Sequence, residues 1–494
     1  MSGKSDGLNH SPHLDGCTAA ADNLPSQINQ YGWNDPGISS ESISIPGNGL
    51  LGVLSPVSVS TEGIDTMKRI VGLTLSGIFL SGALAHAQTP IVKVEAPGNT
   101  IAVQAPAPAP APMPMSTAPA INPLERAEPP AAERDKFLLQ KLLESSPAGQ
   151  TLAGNGWEIY GWTQGTFTTG SVRRTSLPVP FTDRIDQFSL NQNWLHVHKN
   201  VDTEKKEFQI GGVADLILPG TDYRFTPSRG LLTERQARGE TYGIDLYQAY
   251  VDMFLPNLGG NGTTIRVGKF NTYCEYEVVQ GISTPFASRS YLFQYNPFTH
   301  TGLNAITQLN DDWWMANGIV LGSDNFFNDA TRPTYIGHLA WAPKKGKNSA
   351  ALNVVITDPT FDSNKNFNFY NVYNVQLTHK FTDKLQYVAD ATYSHMDGAP
   401  GIGFAEWYGV ANYLLYDVND KLQAKTRVEL FNDEQGFRTG TSGLYTAVTA
   451  GLTWKPTPWL WVMPEVRYDH NSDGRPFEGN DDMFTATIGA ILRW

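Results

Sequence analysis

From residue 157 onward the chain alternates apolar and polar positions with a period of two, the signature of strands with one face in an apolar medium and one in a polar one. In 421–431, Leu422, Ala424, Thr426, Val428 and Leu430 share one parity, and Lys425, Arg427 and Glu429 share the other. In 459–469, Leu460, Val462, Val466 and Tyr468 oppose Glu465, Arg467 and Asp469. Ionised groups facing lipid at the bilayer midplane are strongly unfavourable, so this second parity belongs in water or in a polar network. The six charged residues are therefore candidates to line a lumen, or to pair with one another along its wall. Pro464 shares the outward parity and donates no ladder hydrogen bond, which predicts a bulge there. At the chain end Phe484, Ala486, Ile488, Ala490, Leu492 and Trp494 form one apolar face. A strand crossing a bilayer needs about 9–11 such residues, and only a closed barrel satisfies its backbone in lipid. An edge strand of a soluble sandwich is the competing explanation of this one segment.

Sixteen strands are legible, from 157–168, 188–199, 206–217 and 245–255 at the start to 421–431, 443–454, 459–469 and 483–494 at the end. Strand boundaries read this way shift by about two to four residues, so fourteen or eighteen strands stay open. The connectors alternate in kind. Those at 200–205, 256–261, 311–312, 344–348, 381–383, 418–420 and 455–458 are tight, whereas 169–187, 218–244, 271–299, 432–442 and 470–482 are longer. Short turns on the periplasmic side, long loops outside and an even strand count predict an all-β fold, a transmembrane antiparallel β-barrel. Trp157, Trp162, Trp313, Trp314, Trp341, Tyr413, Tyr416, Trp454 and Trp459 suit interfacial girdles, with some of them facing the lumen. Thr487, Gly489, Leu492 and Trp494 fall on the polar, glycine, apolar and terminal aromatic positions of the pattern that outer-membrane barrel-assembly machinery recognises.

Upstream of the strands, Met67-Lys68-Arg69, the apolar run 70–84 and Ala85-His86-Ala87 read as a cleaved secretory signal peptide over 67–87. Residues 1–66 then read as an upstream extension lying outside the natural start. Residues 88–130 are rich in proline and alanine and predict an extended, unpacked linker. In 131–150 a single short amphipathic helix is expected, carried by Phe137, Leu138, Leu142 and Leu143 among charged neighbours. It is expected to dock on the barrel rim, with a periplasmic plug or an oligomerisation element as alternatives.

Composition narrows the partners. Removing residues 1–87 takes away three of the 36 Lys and Arg and seven of the 48 Asp and Glu, leaving 33 against 41. That negative balance argues against nucleic acid. Cys274 is then the only cysteine, so stability rests on the fold and not on an intramolecular disulfide. No cofactor is expected. Asp469, Asn471, Asp473 and Gly474 open like a calcium loop, but the twelfth position is Asn480 in place of a glutamate. His196 and His198 share a strand face without an identifiable third zinc ligand, so no metal is assigned.

Four stretches carry a resemblance to a known group: Leu246 to Met253, Arg266 to Glu277, Ser288 to Gly302, and Leu452 to Trp459 with Pro464 to Asp469. Over 157–494 the chain resembles the OmpL-like bacterial outer-membrane β-barrel porins (putative beta-barrel porin-2). In that pattern a glycine sits two residues before the glutamate at 277, where this chain has Glu275. The resemblance implies a water-filled channel for passive diffusion of small hydrophilic solutes or ions, and not an enzyme. In general porins the third external loop folds into the barrel, so the connector 271–299 is the expected constriction, with Glu275, Glu277 and Arg289 as its candidate charges. Expected partners are outer-membrane lipids and lipopolysaccharide, the assembly machinery, small solutes and further copies of the chain. A lipid hydrolase or an envelope-tethering barrel without transport are the alternatives, although no nucleophile motif is present.

Overall fold

The computed structural model describes residues 137–173, 181–237, 239–328, 331–344, 346–361 and 367–494. The expected extension (1–66), signal peptide (67–87), linker (88–130) and the first residues of the helical segment (131–136) lie outside the described residues. The strands are β1 (Trp157–Gly170), β2 (Gln187–Lys199), β3 (Gln209–Gly220), β4 (Gly243–Leu255), β5 (Thr263–Asn271), β6 (Thr299–Gln308), β7 (Trp313–Ser323) and β8 (Thr334–Trp341). They continue with β9 (Asn348–Phe361), β10 (Phe367–Lys380), β11 (Leu385–Ala399), β12 (Gly403–Asn419), β13 (Leu422–Asp433), β14 (Gly443–Thr457), β15 (Leu460–Asn471) and β16 (Asp482–Arg493). Each pairs antiparallel with its sequence neighbours, and β16 pairs with β1, so the sheet is a closed sixteen-strand barrel.

Alternation decides the wall. Along β16, Phe484, Ile488 and Leu492 are exposed outward while Met483, Thr485, Thr487 and Ile491 are buried inward. In lipid the exposed face is the stable one, and closure leaves no backbone edge unsatisfied. Trp157, Trp313, Tyr416, Trp454 and Trp459 are exposed, all at the short-turn end of the barrel, whereas Trp162, Trp314 and Tyr413 are buried on the inner face. The ladder between β14 and β15 passes from Gly451↔Glu465 to Trp454↔Val462 with its register kept, and shifts only between Trp454 and Thr457. The bulge expected at Pro464 is therefore not there. Pro464 stays paired with Ile488 on β16, so its missing N–H opens the ladder on one side only.

The seam is closed by the last residue. Gly161 and Trp494 exchange two backbone hydrogen bonds of 2.8 Å each, and Trp494 Nε1 donates to Thr163 Oγ1 at 2.9 Å. Gly161 lies so close to its neighbours that an added Cβ would sit 2.3 Å from the Trp194 carbonyl oxygen and 2.4 Å from the Trp494 ring. Thr487 meets Thr168 across the seam at 2.9 Å on the inner face.

Before β1 the chain forms two helices where one was expected, α1 (Leu138–Glu144) and α2 (Pro147–Gly154). Ser145 and Ser146 donate their hydroxyls back to the Leu142 and Leu143 carbonyls. Ser146 then caps Gly149 N–H, and Pro147 fills the first helical position, where no N–H is needed. Phe137 enters the barrel mouth and stacks on Tyr160 at 4.2 Å. It joins an interior apolar core with Trp162, Trp194, Tyr247, Phe293 and Ile491.

Gly161→Val should cost at least about 1–3 kcal/mol through overpacking at the seam. Removal of Trp494 should leave the edge of β1 unpaired at its start. In both variants the heat-modifiable, fast-migrating barrel band in detergent gels should diminish, while a substitution at the exposed Leu452 should leave it unchanged.

Candidate functional site

The connector between β5 and β6, residues 272–298, turns into the barrel. Its base is pinned where Thr272 N–H bonds the Phe298 carbonyl at 2.9 Å and where the Asp324 carboxylate accepts from Phe298 and Thr299 N–H. Two short helices order it, a 3-10 turn over Gly281–Ser283 and α4 (Tyr291–Tyr295). The α3 helix (Thr233–Ala237) belongs to the preceding long loop.

Three sets of contacts seat this loop. In the first, Tyr273 contacts Asn304 by hydrogen bond, and the Glu275 carboxylate accepts from Asn296 and Thr392, both at 2.7 Å. Glu275 adopts φ 71°, a left-handed conformation that costs a non-glycine residue roughly 1 kcal/mol or more. Glycine would relieve that strain but would remove the carboxylate. Tyr276 N–H donates to Asp390 at 2.6 Å. Burial, with the Asp390 carboxylate nearby, pushes the Glu275 carboxyl well above its ordinary range.

The second set is an ion network. Arg427 of β13 bonds Glu277 of the loop and Glu429 of its own strand, both at 2.6 Å. Arg467 of β15 lies 3.6 Å from Glu429 and 2.7 Å from Asp469. Loop groups fill the remaining valences. Ser290 N–H donates to Glu277, Tyr291 N–H to Glu429, and the Tyr291 hydroxyl to Asp469. Ala287 and Ser288 N–H both donate to Glu465, and Lys425 Nζ donates to the Pro285 carbonyl. All six charged side chains read from the alternation thus face inward and are buried. Of the two environments open to them, the structure shows the polar network.

The third set lies on β2, across the barrel from Asp390 and Thr392 of β11 in the first set. Gln192 of β2 donates to the Val279 carbonyl at 2.6 Å and to Asp222 at 2.8 Å, and accepts from Gly281 N–H at 3.0 Å. Gly281 is a close-approach position, since a Cβ there would meet Gln164 Oε1 at 2.0 Å. Asp222 lies in the preceding long loop, in the turn Thr221–Arg224, and burial raises its carboxyl to about 6 against the pull of Arg289. Arg289 itself turns back on the loop and donates to the Phe286, Ala287 and Val279 carbonyls.

The three candidate constriction charges therefore occupy three different networks, and among the described residues no ion pair joins any two of them. Glu277 pairs with Arg427, Glu275 sits among amides, a hydroxyl and Asp390, and Arg289 stitches the loop to itself. Asp390, Gln192, Asp222 and Asn374 of β10, which accepts from Glu275 N–H at 3.4 Å and donates to Asp390 at 2.7 Å, are site residues that charge runs did not reveal. Their signal was present only as inward parity, or, for Asp222, not at all. Of the weaker motifs, Asp469 is engaged by Arg467 and Tyr291, and Asn471 caps the turn at Asp473 and Gly474 N–H. His196 contacts Asp215. Among the described residues no group of three metal-ligating side chains occurs, and Cys274 is buried and in no disulfide.

The family model described as putative beta-barrel porin-2, OmpL-like, matches residues 156–493. No curated protein matches the chain. Solved structures similar to it include the outer-membrane channel DcaP of Acinetobacter baumannii, at 11% identity and TM-score 0.48, covering 68% of this chain and 97% of that one. An anion-selective porin from Comamonas acidovorans matches at 9% identity and TM-score 0.49, covering 68% and 99%. OprB of Pseudomonas putida matches at 12% identity and TM-score 0.48, covering 71% and 97%.

Arg427→Met strands Glu277 and Glu429 in the interior, a loss of about 3–5 kcal/mol. Limited proteolysis should then cut within 272–298 well before the wild-type loop is touched. Asp222 has a folded value of about 6 against an ordinary 3.8, so the fold favours its protonated form. That contribution is complete below pH 3.8 and is lost as pH rises through 6, amounting to about 3 kcal/mol at most. Melting curves of Asp222→Asn should lack this pH-dependent fall.

Proposed function

The chain belongs to the putative beta-barrel porin-2, OmpL-like family, and from that premise we propose that it is an outer-membrane channel passing small hydrophilic solutes or ions by diffusion. The observation that carries this reading is the loop 272–298 lying between opposite walls, bonded to Asp390 of β11 on one side and Gln192 of β2 on the other. A ring of sixteen strands encloses more space than its own inward side chains fill. A loop laid across that space leaves a narrow passage whose size and charge select what crosses.

In this reading Glu275, Glu277 and Arg289 hold the constriction in shape. Lys425, Arg427, Glu429, Glu465, Arg467 and Asp469 form the wall that seats it. Residues 67–87 direct export and are removed, 88–130 act as a spacer, and the helical segment rests on the periplasmic rim. Outer-membrane lipids and lipopolysaccharide surround the exposed faces, and the strand carrying Thr487, Gly489, Leu492 and Trp494 is the one presented to the assembly machinery. Further copies of the chain are the other expected neighbours. No catalytic step is assigned.

Purified protein in planar bilayers should give stepwise conductance that is small for a sixteen-strand ring. Replacing 277–291 by a short glycine-serine linker should raise it several-fold. A wild type and a loop-deleted variant that are both silent would contradict the proposal.

A further inference from the structure

The start of the third long loop meets the wall through two carboxyl groups. Glu275 of the loop and Asp390 of β11 are both buried, and their side chains are in hydrogen-bonding contact. Asn374 of β10 ties them together, accepting from Glu275 N–H at 3.4 Å and donating to Asp390 at 2.7 Å. Thr392, two residues from Asp390 on the same inward face, donates its hydroxyl to Glu275 at 2.7 Å, and the Asn296 amide does so at the same distance. Tyr276 N–H donates to Asp390 at 2.6 Å. These donors are all neutral. A carboxylate only accepts, so two carboxyl groups share a hydrogen bond only when one of them carries a proton.

The other glutamate of the loop is compensated differently. Glu277 holds Arg427 at 2.6 Å, so charge meets charge and no proton is needed. The titratable groups packed around the carboxyl pair are Tyr273 and Tyr276 of the loop, His338 of β8 against Tyr273, Tyr370 of β10 through Asn296, and Tyr413 of β12 against Tyr276. Tyr413 leads on to Glu277, which Arg427 already holds. Burial first, and then the Asp390 carboxylate, push the Glu275 carboxyl well above its ordinary range. Glu275 also carries the left-handed φ of 71°. Ionising the pair would set two negative charges side by side in a dry site, at a residue whose backbone is already strained.

We infer that the proton held between Glu275 and Asp390 is a pH-sensitive latch, which seats the start of the loop against β10 and β11 and lets it go when the pair ionises. Its effect on permeation rests on the channel reading above, but the latch itself does not require conduction. Because the fold favours the protonated form, the latch is fully set below the ordinary carboxyl value of 4.5 and is lost as pH rises through the raised one. The Glu277–Arg427 pair needs no shared proton, so the change is confined to the start of the loop.

The test uses the full chain folded in detergent and follows amide hydrogen exchange across 273–277, which includes the Glu275 and Tyr276 N–H groups. At each pH the native rate is divided by that of the unfolded chain, which removes the intrinsic pH dependence of exchange. In wild type this ratio should rise by up to about tenfold per pH unit above 4.5 and then level off. Glu275→Gln keeps the acceptor for Asn296 and Thr392 and offers Asp390 a permanent N–H, so its ratio should stay flat. Asp390→Asn removes the like charge and should shrink the rise. Asp222→Asn, on the other side of the loop's seat, should keep the wild-type rise at 273–277. Each variant is scored only as the heat-modifiable barrel form. A wild-type ratio that is flat between about pH 5 and about pH 8 overturns the latch. So does a rise that is undiminished in Glu275→Gln or Asp390→Asn, or one abolished by Asp222→Asn. A latch that titrates as described in a barrel that does not conduct supports the inference and contradicts the channel reading.

Discussion

Charge placed inside a barrel wall must be compensated inside the barrel, and Arg427 is where this constraint is met. Its guanidinium holds Glu429 from its own strand and Glu277 from the loop, with the side chains of all three essentially excluded from solvent. In so dry a setting the pair is not a large source of stability, because desolvation of both ions offsets most of their attraction. Its effect is specificity. The wall charges of β13 and β15 are satisfied only when the loop brings Glu277, the Tyr291 hydroxyl and the N–H groups of Ala287, Ser288, Ser290 and Tyr291 to fixed places. The polar wall therefore dictates one position for the loop.

The same constraint links wall to rim. The outer face is apolar because lipid is there, so alternation forces the mid-strand charges of β13 and β15 inward, and the strands can close only if the last pairs with the first. Gly161 makes that closure tight by admitting the Trp494 ring, and Phe137 and Arg493 continue the packing at the mouth. Interior apolar residues such as Trp162, Trp194 and Phe293 have no lipid to face and pack on one another. The interior thus has an aromatic side near β1 and β2 and an ionic side near β13 to β15, with the loop bridging them.

Much of this was legible in the sequence. The count of sixteen and the sorting of short and long connectors followed from period-two alternation, and β1 starts at Trp157 as expected. Boundaries slipped where alternation is interrupted. β3 starts at Gln209 and not at 206, after the run of charged residues Glu204 to Glu207, and β14 runs on to Thr457 through a register shift. The helix break at Ser146-Pro147 was written in the residues as a cap and a first-turn proline, yet the apolar spacing across 131–146 concealed it. What sequence could not supply was partnership. Glu277 and Arg427 are 150 residues apart, and nothing local distinguishes a glutamate that meets an arginine from one that meets water. The meeting of Glu275 with Asp390 was equally hidden, although the inward parity of β11 places Asp390 on the wall that the loop meets.

The central claim is that the third long loop rests inside the barrel, held by the inner wall. Cys274, buried at the start of that loop, reports on it directly. In a full-length Cys17→Ser protein reconstituted in liposomes, the rate of maleimide labelling measures how often the loop leaves its seat. A seated loop predicts that Cys274 is protected in the native barrel, reacts at once after unfolding, and reacts at an intermediate rate when Arg427 is replaced by methionine. Labelling of the native barrel as fast as that of the unfolded chain would contradict the account.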